Sequence, residues 1–355
     1  MIPYIIFFLI PIMFFLHPLK GSSGVKLLSW SLIIILGTLF IGLRYRVGGD
    51  WSQYLYYLYQ TRNVDFLTAI QIADPGYMAV NWLSQKLNLG IIGVNLFCGF
   101  CFTLGLSMFS LKQPYPWLAF MIAVPYLFIV VGMGYSRQAV ALGFVMMAFS
   151  FWENGKPIKY LTFVFIGAVF HKAAVVMLPF SILLFKRVSI YTWLIAIPTI
   201  AGIGLVLLYD SISVYYEVYA SGMLSSSGGL IRVILNLVPI AIAIFHLQKL
   251  QIAFPEDFKL WASMSVVAIA CLPLVLIAST AIDRIALFIA PLQIALSTRI
   301  VYVQKDGFDR AFFALFFIIL YASVLYIWLN YADNSYSWIP YQIAFESSSL
   351  NEFQT

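Results

Sequence analysis

The sequence predicts an all-α, polytopic integral membrane protein with about twelve transmembrane helices. Three observations carry that prediction. Of the 355 residues, 63% are hydrophobic, 17% aromatic and only 10% charged, whereas soluble domains carry about 25% charged residues. Apolar runs recur along the whole chain, and each span needs roughly 20 mostly apolar residues. The short alternating segments of a transmembrane barrel are absent from the pattern. An ordinary soluble enzyme is excluded, and the net charge of +6 is explained by membrane topology without a nucleic acid partner.

The runs fall at about 3–19, 27–43, 90–110, 116–132, 137–152, 157–170, 172–186, 190–209, 230–247, 260–278, 284–302 and 311–330. The first lacks the basic n-region and small-residue cleavage site of a signal peptide, so it reads as a retained span. Runs flanking Gly132–Ser136 and His171 are short, which predicts tilted or partly re-entrant segments. Cys98, Cys101 and Cys271 all lie in apolar runs and read as packing residues. No linker or repeat divides the chain. We expect one domain over 1–355, with outward-facing loops 44–89 and 210–229 and an outward tail 331–355.

Orientation follows from the basic residues. With the N-terminus outside, nine of eleven lysines lie on the cytoplasmic side, while six of nine arginines lie outside. Lysine acts as the topology signal, so the outward arginines need a separate explanation. Five of them, Arg44, Arg46, Arg137, Arg232 and Arg284, gather at one expected membrane face. A guanidinium binds phosphate through paired hydrogen bonds that lysine cannot imitate, and a helix N-terminus adds partial positive charge. These five are the candidate diphosphate ligands. Pairing with Asp50 or Asp283, or snorkelling to headgroups, is the competing reading.

Aromatic residues collect on the same side. Tyr54, Tyr77, Tyr135 and Tyr341, with Asp74, are the candidate sugar-binding residues, since an aromatic face with a polar tip suits a pyranose ring. Tyr56, Tyr57, Tyr59, Trp51, Tyr209, Tyr215, Tyr216, Tyr219, Tyr331, Tyr336 and Trp338 continue the pattern. An interfacial aromatic belt uses the same residue types, and sequence leaves both readings open. His171 follows an apolar run and precedes Lys172, unlike His17 and His246 near cytoplasmic turns. It is the candidate general base, with Asp50 as the other and Arg137 as a catalytic cation. No Walker loop, HExxH or GxSxG is present, so neither a metal nor another cofactor is expected.

The blocks RYRVGGDWSQY (44–54), DPGYMAVNWL (74–83), YSRQAVALGF (135–144), FHKAAVVMLPF (170–180), DRIALFIAPLQIAL (283–296) and IPYQIAF (339–345) run through nearly the whole chain. In this order they resemble the EpsG-like branch of the Wzy polysaccharide polymerases. One departure is Gly48-Gly49 before Asp50, where one glycine and one variable residue are expected. The resemblance implies a GT-C-like helical fold in the bacterial inner membrane with a periplasmic or outward active site. It implies polymerisation of undecaprenyl-diphosphate-linked repeat units, of O-antigen, capsule or exopolysaccharide, without a metal. The implied partners are the lipid-linked glycan donor and acceptor, membrane lipids and a chain-length regulator protein. An O-antigen ligase, a membrane O-acyltransferase and a flippase of lipid-linked glycans are the alternatives.

Overall fold

The structure is a computed structural model that describes residues 1–18, 22–152, 155–184, 202 and 228–344. The expected span at 190–209, most of the loop 210–229 and the tail beyond 344 lie outside them, with Tyr209, Tyr215, Tyr216 and Tyr219. The described residues are helical, and the one extended pairing among them is an isolated antiparallel bridge between Arg44 and Ile343. The chain divides into two compact units. The first comprises Met1–Met147, Ile166–Lys172 and Phe312–Thr355, the second Ala148–Phe165 and Ala173–Ala311.

In the first unit α1 (Ile2–Leu16), α2 (Ser23–Gly42), α3 (Trp51–Gln60), α4 (Pro75–Lys86) and α5 (Gly90–Leu111) precede a broken span. That span runs as α6 (Pro116–Ala123), widens into a π-helix over Val124–Val131, and returns to α-helix at Gly132–Gly134. Pro125 near the start of the widened stretch has no N–H to donate, so the regular ladder cannot pass through it. The chain breaks at Tyr135 and restarts as α7 (Ser136–Ser150). The 116–134 span is the most enclosed candidate, with 89% of its apolar window buried, so it forms the centre of this unit. Around it Phe7, Phe40 and Phe128 stack at 4.3–6.3 Å, and Trp30 stacks on Trp117 at 4.3 Å. Gly105 and Gly143 bring α5 and α7 together, since a Cβ on either would overlap the other helix's backbone. Small residues at such crossings are how membrane helices gain close packing.

The second unit contains most of α8 (Pro157–Phe170) and a 3₁₀ stretch, Lys172–Leu184. Next come α9 (Gly229–Ile244), α10 (Leu247–Ala253), α11 (Phe258–Leu274), α12 (Ser279–Ile289) and α13 (Pro291–Tyr302). A buried amide relay joins three of them: Asn236 donates to the Ala286 carbonyl at 3.0 Å and accepts from Gln293 at 2.7 Å. The last long helix, α14 (Gly307–Tyr331), leads into the 3₁₀ turn Ser335–Ser337.

Among the described residues, four helices are long and apolar enough to cross a membrane: α2, α5, Pro116–Gly134 and α14. Two bent pairs, α9 with α10 (88°) and α12 with α13 (43°), raise this to six. The chain is thus an all-helical membrane protein with four to six such spans among its described residues, set against twelve apolar runs in the whole sequence. Breaks explain much of the difference. Apolar runs 3–19, 157–170, 172–186 and 260–278 form helices of only 10–17 residues, and Ala290-Pro291 divides 284–302.

Candidate functional site

The first unit assembles most of the sequence-predicted residues where α2 ends. Arg44 is buried, at 1% exposure. Its guanidinium donates to the carbonyls of Ile41 (2.6 Å) and Val47 (3.3 Å) and to the Ser136 hydroxyl (2.7 Å). A buried charge needs its hydrogen bonds met, and here backbone carbonyls and one hydroxyl meet them. Arg44 therefore ties the turn after α2 to the first residue of α7. Gly48 makes the same turn close against the broken span. Its φ is +109°, and a Cβ there would sit 2.5 Å from the Met133 carbonyl oxygen. Only glycine tolerates both conditions.

The tail residues 335–344 lie against this turn. Gly48 N donates to Ser337 O at 2.8 Å, Tyr45 N to Gln342 O at 2.9 Å and Ala344 N to Leu43 O at 2.9 Å. Trp338 is fully buried, donates to Ile129 O at 3.0 Å, and its carbonyl accepts from Tyr4 at 2.6 Å. Tyr341 stacks on Phe40 at 4.6 Å and donates to the Phe40 carbonyl at 2.9 Å. Its ring also meets Tyr4 edge-on at 5.7 Å. Tyr135 is half-buried beside Trp338.

Asp74 is the hub of the polar cluster. It occupies the N-cap position of α4 but makes no side-chain cap bond. Its Oδ2 instead accepts from Arg137 at 2.8 Å and lies 3.4 Å from His171 Nδ1. Burial pushes the Asp74 carboxyl up, yet His171 and then Arg137 outweigh it and hold it below the ordinary carboxylate range. The Arg137 guanidinium lies over the Tyr57 ring at 5.0 Å. Its NH1 bonds Asp74, and 24% of the side chain stays exposed. Tyr54 and Tyr77, both buried, pack at 5.5 Å, and Tyr57 meets Tyr77 edge-on at 6.3 Å. Burial, then the charge of Asp50, pushes the Tyr54 phenol far above its usual value, so it is a neutral hydrogen-bonding group. Asp50 is half-exposed at the start of α3. Arg46 is exposed, with a left-handed φ of 53° and its guanidinium 5.2 Å above the Tyr45 ring.

Arg232 and Arg284 belong to the second unit. Arg232 pairs with Asp283 at 2.5 Å, and Arg284 is the half-buried neighbour of that acid. Among the described residues no three His, Cys, Asp or Glu side chains are grouped to hold a metal. Sequence reasoning did not single out Ser136, named Tyr57 only as part of the aromatic pattern, and did not pair Asp74 with Arg137 and His171. The only signal for Asp74 was its place before Pro75-Gly76-Tyr77.

No curated protein and no solved structure matches the chain. The sequence model of the EpsG family matches residues 27–343, which takes in the Arg44 turn, the Asp74 cluster and the Arg232–Asp283 pair. Membership in this family carries a polysaccharide-polymerase type of function, that of a glycosyltransferase in polysaccharide biosynthesis. Apolar helices in number, a half-buried acid joining an arginine to a histidine, and a match over most of the length lead to one assignment: the chain belongs to the EpsG family.

Proposed function

We propose that the protein polymerises undecaprenyl-diphosphate-linked oligosaccharide repeat units at the periplasmic or outer face of the inner membrane. The observation that carries this reading is the Asp74–Arg137–His171 cluster beneath Tyr54, Tyr57 and Tyr77. In the reaction the acceptor sugar hydroxyl attacks the anomeric carbon of the donor. The C–O bond to undecaprenyl diphosphate breaks, and the hydroxyl proton passes to a base. Arg137, held by Asp74 and partly open, takes the developing diphosphate charge, an interaction that strengthens as the leaving group departs. His171, oriented through Nδ1 by Asp74, is our candidate base, with Asp50 as the second. Tyr57, half-buried, offers the acceptor an aromatic face, backed by the buried Tyr54 and Tyr77. We assign Arg44 to positioning, because its donors hold the turn and Ser136 beside Arg137. Arg46 remains a proposed anion ligand of the first unit, and Arg232 and Arg284 remain proposed anion ligands within the second.

The wider reading is a GT-C-like body in which the shorter apolar helices complete a set of about twelve spans, working with a chain-length regulator. Its test is the lipid-linked glycan profile of cells lacking the protein. Accumulation of a single lipid-linked repeat is expected. Full-length lipid-linked chains that fail only to be transferred onward would make the protein a ligase and overturn the proposal.

A further inference from the structure

Within the first unit the tail segment meets the broken span through one side chain. Trp338 is fully buried, and the benzo edge of its indole faces two glycines. A Cβ on Gly134 would overlap Trp338 Cζ2 and lie 2.8 Å from Cη2. One on Gly49 would sit 3.8 Å from Cη2, in ordinary contact. The φ of Gly134 is not left-handed, so its backbone suits alanine. Every atom that a methyl group there would overlap belongs to the indole.

The indole is held in place around that contact. Its Nε1 donates to the Ile129 carbonyl, inside the π-helix, at 3.0 Å. Trp328 of α14 meets it edge-on at 5.4 Å, and the Trp338 carbonyl accepts from Tyr4 at 2.6 Å. A side chain packed and bonded in this way does not swing aside for a larger neighbour without losing those contacts.

Gly134 is the last residue of the broken span, and Tyr135 carries its position into α7. The Tyr135 N–H donates to Val131 O at 2.9 Å, and its carbonyl accepts from Ala139 N at 2.8 Å. One residue is thus bonded to both helices. Arg137 follows two residues later and reaches Asp74 at 2.8 Å. A displacement of Gly134 therefore moves the first turn of α7, and the guanidinium with it. A misplacement of about 1 Å near a reaction centre can cost roughly a hundredfold in rate.

We propose that Trp338 and Gly134 are a matched pair that sets where α7 begins and so positions Arg137 for glycosyl transfer. Both are positioning residues that act through Arg137. Their role in the reaction rests on the polymerase reading, whereas their fit to one another can be measured without it.

The test is a double-variant cycle on the full chain purified in detergent, reading melting temperature and transfer between lipid-linked repeat units. Gly134→Ala should lower the melting temperature and cut kcat at least about tenfold with little change in KM, because the charge that Arg137 meets grows as the leaving group departs. Trp338→Phe removes the Cζ2 and Cη2 atoms that the new methyl group strikes. Added to Gly134→Ala, it should bring both readouts back towards those of Trp338→Phe alone, a non-additivity expected of residues in contact. If Gly134→Ala alone yields no folded protein, recovery in the double variant supports the pair. A double variant no better than Gly134→Ala overturns it. Wild-type kcat in folded Gly134→Ala protein leaves only packing and overturns the positioning role. Melting restored in the double variant, with no transfer by the wild type, would instead overturn the polymerase reading.

Discussion

Asp74 is the residue on which the candidate site turns, since one of its oxygens serves both Arg137 and His171. Replacing it with asparagine keeps the shape but removes the charge that orients both. Loss of a hydrogen-bonded charge costs about 2 kcal/mol of stability, small enough for the protein to fold. We therefore expect Asp74→Asn to accumulate single lipid-linked repeats at near-normal protein level, and normal polymer length would reject its place in the site. Arg137→Lys should behave nearly as badly as Arg137→Ala, because a single ammonium nitrogen lacks the planar fork that presents fixed donors to a carboxylate and to a phosphate from different edges. The pH dependence has a defined sign. The carboxyl is held below its ordinary value, so its stabilisation is complete above the unfolded value of about 3.9 and disappears as pH falls through the folded value. The melting temperature of the wild type should fall more steeply below about pH 4 than that of Asp74→Asn. Equal slopes would show that the carboxylate is not held by its neighbours. Of this cluster the residue types were legible in the sequence, but the pairing was not. Arg137 lies 63 residues from Asp74 and His171 lies 97 away, and a single sequence carries no signal for contacts at such separations.

Among the elements, the apolar runs located the helices well where nothing interrupts the backbone ladder, as in α2, α5 and α14. They failed where proline or glycine changes the winding. The run 116–132 reads as a short, tilted or partly re-entrant segment, but the π-helix around Pro125 is not legible in it, and run 284–302 breaks at Pro291. The tail was harder still. For its tyrosines and Trp338 the sequence leaves a sugar groove and an aromatic belt both open, whereas Trp338 is fully buried and bonded to Ile129 and Tyr4. The tail segment thus closes the first unit by reaching back to α1, α2 and the π-helix. Trp338→Ala should cost about 3–5 kcal/mol, as for other large buried side chains, and lower the unfolding temperature in detergent by several degrees. Tyr336→Ala removes a side chain that is 74% exposed and should leave it unchanged. Equal melting temperatures for the two variants would mean that the tail is not part of the fold.

For the whole molecule, the open question is which membrane face carries the site, and α14 provides the means to ask it. Its 25 residues make about 37 Å at 1.5 Å per residue, more than the roughly 30 Å hydrocarbon core. It is thus long enough for its two ends to emerge on opposite sides. The first end carries Lys305 and Arg310, which the positive-inside rule puts in the cytoplasm. The second leads to Ser337, whose carbonyl accepts from Gly48 N at 2.8 Å. A probe at 336 therefore reports the side of the turn that holds Arg44, and through Ser136 the start of α7 at Arg137. Cysteine labelling is clean here, because native Cys98, Cys101 and Cys271 are only 2%, 7% and 3% exposed. Tyr336 and Phe308 are 74% and 76% exposed, so cysteine at either should react where reagent has access. With a membrane-impermeant maleimide, Tyr336→Cys should label in intact spheroplasts and Phe308→Cys only after permeabilisation. The opposite pattern would place the tyrosines, Arg137 and His171 in the cytoplasm. In that case lysine would not be the topology signal, and the outward acceptor and donor required by the polymerase reading would have no access to the site.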